Sequence, residues 1–250
     1  MTQYAMVIDL HKCMGCGACA LACKTENNTA LRRHGQTHNW ADYQHKTSGT
    51  FPKLRYTSRP VLCNHCSNAP CVEACPVEPK AMFKTKEGIT MHNDERCIGC
   101  QSCQDACPYS RMECKIGETS VISYNEEGEP YETFFADKTA LIAGGTMSGA
   151  ELASKTDNPP HRTKYKHPDY QDVRRSGITE KCIFCEHRVK KGELPYCVVS
   201  CPANARIFGD INDPKSEVSS LLKKYKPAVL KPEEGTKPNV YYIREYSLKK

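Results

Sequence analysis

Sixteen of the seventeen cysteines in this 250-residue chain fall into four quartets, and in each the fourth cysteine follows the third by four residues. Cys13, Cys16, Cys19 and Cys23 have the same spacing as Cys97, Cys100, Cys103 and Cys107, and both sets follow a strand-like segment, YAMVIDL or GITMHN. Cys63, Cys66, Cys71 and Cys75 open with C-x-x-C and close as PCVEACP, while Cys182, Cys185, Cys197 and Cys201 open alike and close as YCVVSCP. The first kind is type A and the second type B. The order A, B, A, B is the mark of a duplicated A–B unit. Pro76, Pro108 and Pro202 follow three of the closing cysteines, and Lys24 stands in the fourth such place.

This pattern fits one chemistry better than its rivals. A disulfide framework suits short secreted chains, and an odd cysteine count leaves a thiol over. Single C-x-x-C pairs also serve zinc ribbons and thioredoxin-like sites. Four quartets, three closing in Cys-Pro, are the ligation pattern of [4Fe–4S] clusters. A C-x-x-C-x-x-C loop presents three thiolates to one cubane and turns backbone N–H groups toward the sulfurs, with Gly15, Gly17 and Gly99 permitting the close approach. The fourth cysteine is expected to begin a helix, face away from the loop and ligate the other cluster of a pair, as in two-cluster ferredoxins.

Proximity pairs the two central motifs, placing Cys63, Cys66 and Cys71 with Cys107, and Cys97, Cys100 and Cys103 with Cys75. The first and last motifs then pair across the chain: Cys13, Cys16 and Cys19 with Cys201, and Cys182, Cys185 and Cys197 with Cys23. The expected fold is α+β, with two interlocked bacterial-ferredoxin-like domains and two [4Fe–4S] clusters in each. The outer domain takes residues 1–58 and 177–214, and the inner domain residues 59–114. Residues 115–176 read as a polar, turn-rich insertion with a short helix near 146–155, and residues 215–250 as a docking extension. That extension should carry an amphipathic helix at SEVSSLLKKYK and end in a strand near NVYYI.

The stretches VIDLHKCMGCGACALACKTEN, CNHCSNAPCVEACP, RCIGCQSCQDACPYS, KCIFCEHRVKKGELPYCVVSCPANARIFGD and LKPEEGTKPNVYYI resemble the four-cluster electron-transfer subunits of the dimethyl sulfoxide reductase superfamily. Polysulfide, thiosulfate, tetrathionate and respiratory arsenate reductases contain such subunits, and ACKTENNT leans toward the arsenate branch. The turn CPVEPKAMF and the spacer before the fourth motif are longer than is usual there. The resemblance implies a separate large catalytic subunit that holds a molybdenum (or tungsten) pterin. It also implies a quinone-reactive membrane subunit or a soluble cytochrome at the other end of the relay.

Composition agrees with a chain built round inorganic cofactors. Hydrophobic residues make up 39%, and the mean hydropathy is −0.63, so the apolar core is thin for the length. The formal charge of +6 suggests an anionic partner such as nucleic acid, yet four clusters with four thiolates each bring about −8 and leave about −2. No nucleic-acid role is expected. Lys12, Arg96 and Lys181, each just before a motif, are candidates for raising cluster potentials. His65 and His187 are expected beside the clusters rather than as ligands, since cysteine fills all sixteen ligand positions. Cys114 is expected to be a buried or idle thiol, and Trp40 either anchors a partner from an exposed loop or packs internally.

No apolar run approaches the ~20 residues of a membrane span, and MTQYAMVIDLHKC shows neither a signal peptide nor a twin arginine. The expectation is no direct membrane insertion and a periplasmic location reached by co-export with a signal-bearing partner, the alternative being the cytoplasm. No paired carboxylates, nucleophile triad or phosphate loop suggests catalysis by this chain. A free-standing polyferredoxin shuttle is the alternative function, and a redox-inactive zinc scaffold a weaker one.

Overall fold

In the computed structural model, residues 1–27, 29, 32, 35–115, 117–126, 146, 147 and 177–245 are described. In chain order the elements begin with β1 (Tyr4–Asp9), α1 (Ala18–Asn27), β2 (Ala41–Thr50), β3 (Lys53–Leu62), α2 (Pro70–Glu73), β4 (Met82–Lys84), β5 (Thr90–His92) and α3 (Ser102–Asp105). They continue with β6 (Ile122–Asn125), β7 (Ile178–Lys181), α4 (Glu186–Val189), α5 (Tyr196–Val199), β8 (Arg206–Asp210), α6 (Glu217–Lys224) and β9 (Val240–Ile243). The result is a small α+β fold of short elements, the kind that loops curled round cofactors produce. The helix expected near 146–155 lies almost wholly outside the described residues.

β1 organises the outer part of the molecule. It is the middle strand of a three-stranded sheet, antiparallel to β8 and parallel to β9, so residues more than 190 positions apart share one ladder. Successive side chains of a strand point to opposite faces. Met6 and Ile8 accordingly join a core containing Cys19, Cys23, Cys63, Cys182 and Cys197. Ala5 and Val7 face the other way, onto Ile207, Ile243 and Val218 of α6. The Ser216 hydroxyl caps α6 by accepting from Ser219 N at 3.0 Å, and burial of Val218 fixes the helix to the sheet with about 2 kcal/mol.

The C-terminal segment closes over this sheet and then over the second motif. Asn239 N donates to Asn64 O at 2.9 Å, and Asn239 Nδ2 donates to His65 O at 2.7 Å. Tyr109 OH donates to Leu230 O at 3.1 Å, and Tyr242 OH donates to Pro60 O at 2.8 Å.

Three smaller ladders complete the description: β2–β3, β4–β5 and β6–β7. β2 and β3 form a ten-residue antiparallel ribbon whose inner end, with Ala41, Tyr43, Val61 and Leu62, is buried and whose outer half stands in solvent. β3 runs through the 58/59 position at which the outer and inner domains were expected to meet. β6, at the start of the expected insertion, pairs with β7, which leads into the fourth motif.

One expectation about the motifs is corrected. The fourth cysteine does not begin a helix; the helix precedes it. In every motif the third cysteine, Cys19, Cys71, Cys103 or Cys197, is the second residue of a helix. α2, α3 and α5 last four residues, and Cys75, Cys107 and Cys201 come just past their ends. The reason is the proline that follows, because the residue before a proline is pushed out of the helical region. Lys24 imposes no such limit. α1 therefore continues through Cys23 to Asn27, whose Nδ2 donates to Cys23 O at 3.0 Å.

Candidate iron–sulfur sites

The four motifs share a backbone signature that their side chains conceal. The residue two after the first cysteine has a left-handed φ in every case: Gly15 at 70°, His65 at 45°, Gly99 at 69° and Phe184 at 53°. That conformation turns a peptide N–H back toward the first sulfur. Gly99 N lies 3.5 Å from Cys97 Sγ, Phe184 N lies 3.4 Å from Cys182 Sγ, and Gly15 N makes the same contact with Cys13. The glycines adopt this φ without steric cost, whereas His65 and Phe184 are held there by their surroundings.

The structure gathers the thiols into four groups. Cys13, Cys16, Cys19 and Cys201 line one cavity with Ile8, Tyr43 and Arg206. Cys23 is buried, and burial followed by the charges of Cys182, Cys185 and Cys197 pushes its thiol well up, so those four lie together. Burial and then Cys63 raise Cys71, on which Cys107 also acts, while burial raises Cys107 to about 12 with Cys63 and Cys66 as neighbours. Cys75, Cys97, Cys100 and Cys103 line a second cavity with Met82, His92 and Thr179. These groups are called sites 1, 2, 3 and 4 in that order.

The sites form a row. Cys19 acts on Cys197 between sites 1 and 2, Cys63 acts on Cys182 between sites 2 and 3, and Cys103 acts on Cys71 between sites 3 and 4. The row therefore reads A, B, B, A, and its middle joint has the symmetry of the duplication. There His65 and Phe184, equivalent residues of the two type B motifs, stack with ring centroids 3.5 Å apart. Every cysteine of sites 2 and 3 is buried, whereas Cys16 of site 1 and Cys100 of site 4 are exposed.

The donor set fits [4Fe–4S] clusters. Thiols line apolar cavities, and backbone or side-chain donors meet them: Ala205 N is 3.2 Å from Cys201 Sγ, and Asn27 Nδ2 is 3.5 Å from Cys23 Sγ. Tyr43 OH lies 2.9 Å from Cys19 Sγ, and against a thiolate the hydroxyl must be the donor. Such donors stabilise charge on cluster sulfur and help set its potential. Burial works to raise Cys97, but the adjacent His92 outweighs it and holds the thiol at about 7.

A family model for the 4Fe-4S dicluster domain matches residues 54–123 and 153–211, and one for the 4Fe-4S binding domain matches residues 6–26. The iron–sulfur subunit of the arsenate respiratory reductase of Shewanella sp. (strain ANA-3) is 46% identical across 99% of this chain and 98% of its own length. The chain belongs to the iron–sulfur subunits of the dimethyl sulfoxide reductase superfamily. One tetrathionate reductase subunit from Salmonella typhimurium and one selenate reductase subunit from Mesobacillus selenatarsenatis are each 35% identical, over 96% of this chain and 72% of theirs. The protein is thus an iron–sulfur electron-transfer subunit that carries several [4Fe–4S] clusters.

Within this iron–sulfur subunit the other singled-out residues sort by burial. Trp40 is buried, with Nε1 donating to Glu180 Oε1 at 3.3 Å, so it packs internally. Lys12 and Arg96 are exposed, but Lys181 is buried with Nζ 2.8 Å from Cys182 O. His65 lies against the middle joint, where burial and then Lys181 and Lys84 drive its imidazole neutral. His187 Nε2 is 2.7 Å from Glu26 Oε1. Cys114 is buried, its N–H donating to Gly35 O at 2.8 Å. Sequence reasoning missed Arg206, which lies within CPANARIFGD with nothing local to mark it.

Gly99 offers a local test. A Cβ there would sit 2.2 Å from Gly177 O, on a backbone already at positive φ. Gly99→Ala is expected to cost about 2 kcal/mol or more and to empty site 4 first. Iron analysis should fall by about four atoms per chain; a full complement of iron at unchanged thermal stability would contradict it.

Proposed function

We propose that this chain is the non-catalytic electron relay of a respiratory oxidoreductase of the arsenate type, bound to a large catalytic subunit that holds a molybdenum (or tungsten) pterin. The observation that carries the reading is the row of four thiol quartets, buried in the middle and exposed at both ends. In it Cys13, Cys16, Cys19 and Cys201 ligate the first [4Fe–4S] cluster, and Cys23, Cys182, Cys185 and Cys197 the second. Cys63, Cys66, Cys71 and Cys107 ligate the third, and Cys75, Cys97, Cys100 and Cys103 the fourth. When bound, the clusters supply one-electron centres. The protein's part is to space them, exclude water from the inner two and leave a way in and out at each end. The two halves are interlocked ferredoxin-like domains, the outer one closed by the β1–β8 pairing. Arsenate chemistry on the partner is supported by 46% identity over nearly the whole of both chains, against 35% for the tetrathionate and selenate relatives.

The ends of the row are marked alike. The residue after the first cysteine of each type A motif, Met14 or Ile98, is an exposed apolar side chain, 68% and 66% accessible. Beside site 1 the β2–β3 ribbon adds Phe51, Leu54 and Tyr56, all exposed. Leu54 and Tyr56 share the ribbon face of Tyr43, which reaches Cys19 at its base. A two-stranded ribbon is marginal alone in water, and we assign this face to the catalytic subunit. Changing Phe51, Leu54 and Tyr56 together to serine should weaken co-purification of that subunit and leave iron per chain unchanged. Undiminished co-purification would move the interface elsewhere.

A quinone-reactive membrane subunit or a soluble cytochrome takes the site 4 end. We place the complex in the periplasm, exported folded with a signal-bearing partner because its clusters are assembled in the cytoplasm. Anaerobic purification from the native host, with fractionation of the cell, tests this reading. A stable complex with molybdenum or tungsten in the periplasmic fraction is expected. A monomer without either metal, confined to the cytoplasm, would instead make the chain a free polyferredoxin.

A further inference from the structure

Arg206 occupies a position that packing does not explain. It begins β8, is 3% accessible and lines the cavity of site 1, while its Nη1 approaches Cys197 Sγ of site 2 at 3.9 Å. Among the described residues no carboxylate comes within ion-pair distance of it. Its Nε and Nη2 are buried without a hydrogen-bond partner, and Nη1 otherwise meets the sulfur of Met6 at 3.6 Å. Among the described residues, the hydroxyls of Tyr43 and Tyr242 and the thiols of Cys13, Cys19 and Cys23 also lie around it. A buried guanidinium with no anionic partner costs several kcal/mol. Its charge must be answered by something at these two sites, and a ligated cluster carries net negative charge.

The duplication supplies a comparison within the chain. Ala205 and Arg206 follow Cys201 and Pro202 and line site 1; Ala81 and Met82 follow Cys75 and Pro76 and line site 4. Both positions are buried. A methionine therefore satisfies the packing at the equivalent position, and the charge of Arg206 serves another end.

We propose that Arg206 is a fixed cation shared by sites 1 and 2 that raises the reduction potentials of the clusters they hold. This rests on the reading that both quartets hold clusters. Reduction adds one negative charge to a cluster, and a buried positive charge a few ångströms away favours the reduced form in a low-dielectric interior. The second site is screened less because all its cysteines are buried. The cysteines that act on Arg206 belong to sites 1 and 2, and site 3 has other cations beside it in Lys84 and Lys181, so sites 3 and 4 should not respond.

The test is a redox titration of the purified complex, followed by electron paramagnetic resonance, for the native chain, Arg206→Met and Arg206→Lys. With Arg206→Met two of the four cluster signals should move to lower potential, the larger shift belonging to site 2, while Arg206→Lys recovers most of both. Iron content should not change. Potentials that stay put in Arg206→Met, or signals that all move together, would overturn the proposal. If Arg206→Met loses iron, Arg206→Gln is judged by the same two criteria. A native chain with fewer than four clusters would refute the underlying ligand reading instead, and its iron analysis shows this before any variant is made.

Discussion

Replacing Cys63 by alanine is expected to stop electrons from crossing the subunit, the largest functional effect of any single change in it. Cys63 belongs to site 3 and acts on Cys182 of site 2, where the two halves of the row meet. The row has no parallel branch among the described residues, so losing an inner site breaks the path, whereas a lost tuning residue only changes its slope. Turnover of the intact complex driven by a quinol analogue should fall to background. Iron should drop from about 16 to about 12 atoms per chain. Turnover by the catalytic subunit with a small reductant that reaches it directly should persist. A Cys63→Ala complex that keeps quinol-driven turnover would show that electrons bypass site 3.

Ending the chain at Val229 is expected to leave no soluble protein that holds clusters. The truncation removes β9 and with it the buried Val240, Tyr242 and Ile243. At about 2 kcal/mol for each buried side chain, the loss is about 6 kcal/mol, comparable with the whole stability of an ordinary domain at about 5–15 kcal/mol. It also opens the edge of β1 and strips Asn64 O and His65 O of the bonds from Asn239. Soluble yield and iron per protein measure the effect, and a truncated chain with full iron would contradict it. The C-terminal extension is therefore part of the cluster fold, in addition to any surface it offers a partner.

Most of the candidate site is a reading of the sequence, because ligand spacing is a strong local constraint. Thiolates that share one cubane must come from a short loop, and the proline after the fourth cysteine advertises where the chain turns. The helix register was less legible. The sequence shows Cys-Pro, but that the proline ends a helix instead of following one that is beginning depends on the conformation of the residue before it. The left-handed His65 and Phe184 were invisible for a related reason. Glycine announces a positive φ, whereas a histidine and a phenylalanine at the same place, here stacked on each other across the joint, do not. Trp40 and Arg206 depended on tertiary packing. Neither local pattern nor charge distinguishes a buried guanidinium between two sites from the many exposed basic residues of this chain.

The crossed assignment of the fourth cysteines is the central claim, and alanine variants of Cys13, Cys23, Cys182 and Cys201 test it most directly. Each should be purified anaerobically and its reduced clusters resolved by electron paramagnetic resonance. In the structure Cys23 lies with Cys182, Cys185 and Cys197, and Cys201 with Cys13, Cys16 and Cys19. Cys23→Ala and Cys182→Ala should therefore remove one and the same signal, while Cys13→Ala and Cys201→Ala remove a different one. Loss of a single shared signal in Cys13→Ala and Cys23→Ala would mean that each motif fills its own cluster, and the row of sites described above would be wrong.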